Sequence, residues 1–476
     1  MTGNRRWYAL ALICVAQFMV VLDVSIVNVA LPSIKKALDF SETNLQWVIS
    51  AYTLVAGGFL LLGGRVADIL GRRLMFMIGL ALFTGGSLMC GLAWTHGALI
   101  TFRAVQGFGA AFVAPAALSL ITALFEEGAE RNKALGIMGA ISGSGAAFGV
   151  LLGGVLTSQL SWSWIFFVNV PVGAAAIAST LFLIPESKGD LGHRRFDVTG
   201  AIVVTASLTA LTYAIVKASD YGWSSGRTLG VLGAAVAGLA IFVGIEWRTR
   251  APLMPLRIWL NRTLAGANVV GFMIGASIFA MFFILSLYMQ QVLGYSALKA
   301  GVAYLACALT VVFAAGIAGK LVTIFGIRNM LASGLVLSGV GLYYFTHVSA
   351  NGSYWADLFP GFVIAAVGLG FSFVPVTIAA LSGVENRDAG LASGLINVTQ
   401  QIGGALGTAI VISVAASRFH HFQKLGESQG LAWTHGFQLA FWVSLGFAAV
   451  GVVATLAMIR RVALPAEEAE PALAVD

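Results

Sequence analysis

Apolar runs of about twenty residues recur along almost the whole chain, and no other feature limits its fold so tightly. A helix needs about 20 mostly apolar residues to cross a bilayer. Fourteen segments meet that length: 7–31, 43–62, 74–93, 98–122, 134–158, 164–184, 198–217, 227–247, 264–289, 298–324, 330–348, 357–382, 390–416 and 437–460. Inside hydrocarbon the backbone must satisfy its own hydrogen bonds, which a helix does within one segment. The chain is therefore expected to be an all-α polytopic membrane protein. The pair 198–217 and 227–247 is the one whose loss would leave twelve spans. Only 10% of the 476 residues are charged and 59% are hydrophobic. An ordinary soluble domain carries about 25% charged residues, so lipid must be the solvent for most of this surface.

Lys and Arg set the orientation of the spans. With the N-terminus placed in the cytoplasm, 19 of the 27 Lys and Arg fall in cytoplasmic segments, seven fall outside, and Arg103 is left within a span. The asymmetry supports both ends inside. It also explains a pI near 9.4, which would otherwise point to an acidic partner. No basic run with interleaved aromatics is present, so nucleic acid is excluded as a partner. The opening MTGNRRWYALALICVAQF begins like a signal peptide. Its apolar stretch is too long for one, so it is expected to stay as the first span. The acidic, Pro/Ala-rich residues 461–476 are expected to be a disordered cytoplasmic tail. Cys14, Cys90 and Cys307 stand alone in apolar segments and read as core fillers. No phosphate-binding loop, zinc-ligand cluster or Ser-His-Asp pattern can be assembled, which argues against an enzyme and for no cofactor.

The chain repeats itself. GRVADILGRR (64–73) aligns with GKLVTIFGIR (319–328) at an offset of 255, and the same offset pairs Glu130 with Glu385, Ala134 with Ala389, Gly139 with Gly394, and Gly149 with Gly404. Both copies have one orientation, so two six-helix bundles, 1–184 and 264–460, form a parallel repeat. Residues 185–263 supply two extra helices between them. Such a repeat places a binding cavity between the bundles near the midplane, with access alternating as one bundle rocks against the other.

Asp23 interrupts the first apolar run, within VVLDVSIVNVALP. An acid there costs ~2.5–3.5 kcal/mol on insertion scales. At ~1.5 Å per residue Asp23 lies ~12 Å from the outer end of its helix, Arg103 ~8 Å and Gln106 ~12 Å from theirs, so contact is feasible. An acid paired with Arg in one helix arrangement and released in another changes its proton affinity. Asp23 is read as the proton carrier and Arg103 as its modulator. The competing readings are a fixed structural pair and an Arg103 that snorkels to the headgroups. Gln17, Ser25 and Asn28 lie ~120–200° around the helix from Asp23. They are expected to line the cavity while Asp23 faces the fourth helix. Further cavity candidates are Gln106, Asn268, Phe272, Phe279, Asn397, Gln400 and Gln401. Gly64, Asp68, Gly71, Arg72 and Arg73 form a candidate gating loop, in which Asp68 accepts bonds from an Arg or a helix N-terminus. Gly145, Gly149 and Gly153, spaced about one turn apart, allow close helix approach, as do Gly403, Gly404 and Gly407.

The motifs together resemble one family. LDVSIVNVALP, GRVADILGRR, RAVQGFGAA (103–111), GSGAAFGVLLGG, WSWIFFVNVPVG (162–173) and YMQQVLGYSALKAG (288–301) are similar to segments of the major facilitator superfamily. They most resemble its fourteen-span drug:proton antiporters of the EmrB/QacA type. The resemblance implies a bacterial cytoplasmic-membrane exporter, driven by protons and working as a monomer. It implies importance for Asp23 and Arg103, and an antiporter motif at Gly145, Gly149, Gly153 and Gly154. The chain departs from the family pattern at Val150, where Pro is usual, and at Ile69, Ser163 and Thr323. One embedded acid suits neutral or monocationic amphipathic substrates and about one proton per cycle. A dedicated exporter of an endogenous antibiotic, siderophore or lipid is the alternative, followed by a proton-symport importer.

Overall fold

The computed structural model describes residues 3–40, 45, 47–126, 128–187, 197–249, 252–385 and 388–460. The expected tail at 461–476 lies outside them. The described chain is helical throughout: α1 (Gly3–Ala37), α2 (Trp47–Leu70), α3 (Arg72–Gly91), α4 (His96–Leu124), α5 (Ala129–Gln159), α6 (Asn169–Leu183), α7 (Val198–Tyr221), α8 (Gly226–Arg248), α9 (Arg262–Leu287), α10 (Leu305–Phe325), α11 (Ile327–Phe345), α12 (Phe359–Leu381), α13 (Ala389–Lys424) and α14 (Gln429–Met458).

Each helix coincides with one expected segment, but only 12 helices among the described residues are long and apolar enough to cross a membrane. The pair in question from sequence, α7 and α8, is among them, whereas α11, which opens on Arg328 and Asn329, is not. Local chemistry sets many of the ends. Thr95, Asp197, Ser225 and Asn261 cap α4, α7, α8 and α9 by accepting backbone N–H bonds, which satisfies donors that a helix start leaves bare.

The packing repeats as the sequence does. α1 lies on α5 and α6, α4 holds α2 and α3, and α3 meets α6. Eight helices later, α9 lies on α13 and α14, α12 holds α10 and α11, and α11 meets α14. The halves join where α2 meets α13 and where α5 meets α10, two contacts that the repeat interchanges. α7 rests on α2 and α13, and α8 rests on α7. Leu229, Val236, Ile241 and Trp247 stand exposed along α8, a surface suited to lipid, which is as apolar as the side chains it touches.

Candidate functional site

The central cavity has a volume of about 300 Å³ and lies between the halves. α1 contributes Gln17, Val20, Val21 and Val24, and α2 contributes Tyr52, Thr53, Ala56 and Leu60. The other half contributes Phe279 and Phe282 from α9, Phe373 from α12, and Asn397, Gln400 and Gln401 from α13. No Asp, Glu, Lys or Arg is among the described lining residues. Gln17 Oε1 and Gln400 Nε2 are buried without hydrogen-bond partners. A buried polar atom left unpaired is costly, and both of these belong to side chains that line the cavity.

Asp23 stays outside this lining. It is fully buried on the far side of α1 and faces α4. Its Oδ2 accepts from Arg103 Nη1 at 2.6 Å, and its Oδ1 accepts from Gln106 Nε2 at 2.8 Å and from Asn169 Nδ2 at 3.1 Å. Arg103, 1% exposed, also donates to Gln106 Oε1 at 2.7 Å and to the Val48 carbonyl at 2.9 Å. Asn169 donates onward to Ser87 Oγ at 3.0 Å. A carboxylate with this many donors forms a satisfied buried network, whose members are strongly interdependent. The Tyr52 ring packs on the Arg103 guanidinium, 4.4 Å from its centre, while the same residue lines the cavity. Tyr52 is thus a wall shared by the cavity and the ion pair.

Several of the expected cavity residues lie elsewhere. Of the α1 polar residues only Gln17 lines the cavity. Ser25 is buried and donates to the carbonyls of Leu22 at 3.0 Å and Gly145 at 3.3 Å, against α5. Asn28 is exposed and donates to Val24 O at 3.1 Å. Both satisfy backbone acceptors, a role that periodicity does not reveal. Gln106 belongs to the Asp23 network. Asn268 bridges α9 and α13, donating to Leu264 O at 2.9 Å and accepting from Thr399 at 3.2 Å. Phe272 lies beside Gly403 at the same crossing. Phe279, Asn397, Gln400 and Gln401 do line the cavity. Gly145, Gly149 and Gly153 pack on Val21, Ser25 and Ile26 of α1, within their own half, whereas Gly154 turns to Leu298 of the other half. Gly403, Gly404 and Gly407 pack on α9 in the matching way.

Nor is Asp23 the sole deeply buried acid. Asp68 is 0% exposed and Glu246 3%, because α2 and α8 run on past the apolar segments and other elements cover their ends. Asp68 Oδ1 accepts from Arg72 Nε at 3.1 Å and Nη2 at 3.0 Å, and its Oδ2 accepts from the Leu391 backbone N–H at 3.2 Å, at the start of α13. Arg65 Nη1 reaches Asp388 Oδ1, just before α13, at 3.1 Å. Gly64 and Gly390 lie back to back, each where the other's carbonyl leaves no room for a Cβ. Gly71 has φ +133° and sits against the Glu186 carboxylate, which accepts from the Arg73 and Leu74 N–H groups at 3.1 Å. Gly64, Arg65 and Asp68 therefore tie α2 to the other half at the face that carries the N-terminus, while Gly71 and Arg73 meet the end of α6 in their own half. The exposed lining residues of the cavity are Val24 at 41% and Phe279 at 47%.

Sequence reasoning missed Asn169, Tyr52, Ser87 and Asp388. Asn169, an amide within the apolar run FFVNVPVG, was the visible signal. The others depend on which helices meet.

A model of the Major Facilitator Superfamily matches residues 13–408. The puromycin resistance protein pur8 of Streptomyces alboniger is 36% identical over 96% of this chain and 90% of its own length. The cephamycin export protein CmcT of Amycolatopsis lactamdurans is 39% identical, over 86% and 85%. The multidrug resistance protein Stp of Mycobacterium tuberculosis is 34% identical, over 84% and 74%. Among solved structures, the proton:xylose symporter XylE aligns with a TM-score of 0.65 at 13% identity, over 97% of each chain. The human organic anion transporter MFSD10 aligns with a TM-score of 0.64 at 14% identity, over 96% of this chain and 100% of that one. At such identities these two show the fold alone. The chain therefore belongs to the major facilitator superfamily and is a multi-pass membrane transporter, not an enzyme.

Proposed function

We propose that the chain is a proton-coupled antiporter that exports amphipathic organic compounds by alternating access. It does so through fourteen spans with both termini in the cytoplasm, as a monomer and without a cofactor. Residues 1–184 and 264–460 are the two moving bundles, and residues 185–263 form the hairpin between them. The observation that carries the reading is the buried Asp23–Arg103 pair standing behind Tyr52, off the cavity. A proton taken up by Asp23 breaks its pair with Arg103, and the freed guanidinium pushes Tyr52 toward the cavity and expels the guest. A guest that presses Tyr52 onto Arg103 holds the pair closed and keeps the proton off, so guest and proton alternate. Coupling is thereby indirect, since the guest and the proton occupy different places. The clasp at Asp68 and Arg65 holds the N-terminal face shut, so this arrangement faces outward.

The uncharged lining supports neutral or monocationic guests held by apolar contact, with Gln17 and Gln400 supplying a few polar bonds. A second reading, a dedicated exporter of one antibiotic, draws on relatives named for puromycin and cephamycin. Everted vesicles with an acidified lumen separate the outcomes. A panel of drugs and amphipathic cations should drain the gradient in wild type and not in Asp23→Asn. Equal drainage in the variant would place coupling elsewhere. Drainage by a single antibiotic would favour the dedicated exporter.

A further inference from the structure

The base of the α7–α8 hairpin holds two acids that the transport reading does not use. Glu246, near the end of α8, is 3% exposed. Its Oε2 accepts from the Met254 N–H at 2.9 Å, while its Oε1 is buried without a partner. Asp197 caps α7, with Oδ1 accepting from the Gly200 N–H at 2.8 Å, and its Oδ2 is likewise buried and unpartnered. The two orphan oxygens converge on one point. A Cβ on Gly200 would stand 2.5 Å from Asp197 Oδ2 and 2.7 Å from Glu246 Oε1.

Among the described residues, the charged groups around this corner are committed elsewhere. Arg65 donates to Asp388 at 3.1 Å and to the Pro252 carbonyl at 3.3 Å, Arg257 lies 3.8 Å from Asp388, and Arg248 is exposed. Among the described residues, no Lys, Arg or His forms an ion pair with Asp197 or Glu246. Two facing carboxylates without a cation repel, and the repulsion falls most simply when one binds a proton. The bound proton makes one acid a donor to the other and satisfies both orphan oxygens at once. A metal ion fits poorly. The second oxygen of each acid already faces an N–H donor, and no group of three or more His, Cys, Asp or Glu that could hold a metal is found among the described residues.

We propose that Asp197 and Glu246 form a second proton-binding site, a carboxyl–carboxylate pair that shares one proton and restrains residues 252–254 beside the Arg65 clasp. The route is short. Glu246 holds the Met254 amide, the adjoining Pro252 carbonyl accepts from Arg65, and Arg65 holds Asp388 at the start of α13. A proton leaving the pair turns an attraction into a repulsion beneath this segment and loosens the clasp from the hairpin side. That consequence rests on the clasp's role proposed above; the proton site itself does not.

Infrared difference spectra of the purified, bilayer-reconstituted protein, titrated with pH, test the site through the C=O stretch of a protonated carboxyl. The expected result is a titrating band in wild type and in Asp23→Asn that is lost in both Glu246→Gln and Asp197→Asn. Each amide keeps the size and bonding of the acid, and the two variants check each other for folding. A band unchanged in both variants, or absent from wild type across the titration, overturns the proposal. So does a band abolished at fixed pH by sodium or calcium, which would reveal a cation site. Since Asp23→Asn is read by transport and this site by its band, failure of one leaves the other standing.

Discussion

The two copies of the α2–α3 loop sit in matching places and do different work. In the first, Gly64 presses on Gly390, and Asp68 joins Arg72 to the backbone of Leu391 at the start of α13. In the second, Gly319 presses on the Asn132 backbone at the start of α5, and Thr323 accepts a single bond from Asn132 Nδ2 at 3.3 Å. Gly71 and Gly326 both take positive φ, 133° and 79°. Arg73 and Arg328 both donate to carbonyls at the end of their half's last helix, Ile184 and Leu456. The repeat thus preserves shape on both sides and spends charge on one. A buried ion pair loses much when one partner goes, whereas a neutral hydrogen bond loses little. The first contact is a clasp and the second a guide.

The contrast can be broken at four points. The largest effect is expected from Asp68→Asn, which removes the buried carboxylate that accepts from Arg72 and from the Leu391 N–H. The shut arrangement should lose ~3–5 kcal/mol and transport should fall by about tenfold or more, with membrane insertion normal by yield and gel filtration. Misinsertion instead would make Asp68 a folding residue. Arg65→Gln removes a bond between charged groups, worth about 1.5–3 kcal/mol. Accessibility labelling from the N-terminal face should rise, and no change in labelling would remove Arg65 from the clasp. Gly64→Ala forces α2 away from Gly390, an overpacking of about 1–3 kcal/mol. It should slow transport and lower the melting temperature, and a silent Ala would mean the crossing is looser than drawn. The smallest effect is Thr323→Ala, about 0.5–1.5 kcal/mol. Transport should stay close to wild type, and a loss as deep as that of Asp68→Asn would erase the asymmetry between the copies.

Legibility followed the same line. Asp23 and Arg103 were paired correctly from depth alone, because helical rise is fixed and a polar group in lipid needs a partner. The ~100° step per residue set Asp23 apart from Gln17 and turned it toward α4, and of the residues on that polar face only Gln17 lines the cavity. Ser25, Asn28, Gln106 and Asn268 were assigned to the cavity and lie elsewhere, because a polar side chain can satisfy its own helix or a neighbouring one. The sequence does not say which. Asn169 was visible as an amide in an apolar run, yet its partner was hidden until α6 was seen against α1 and α3.

What the sequence determined by itself is what lipid and the repeat dictate: helical segments, their approximate ends, the internal duplication, and an acid that must be paired. These follow from local rules, the need to close backbone hydrogen bonds and the cost of a bare charge in hydrocarbon. Only the tertiary structure decided that Asp68 meets α13, that Tyr52 divides the cavity from the ion pair, and that Asp197 faces Glu246. Those contacts join residues tens to hundreds of positions apart. They depend on how helices rotate and cross when their side chains are packed, which no single segment encodes.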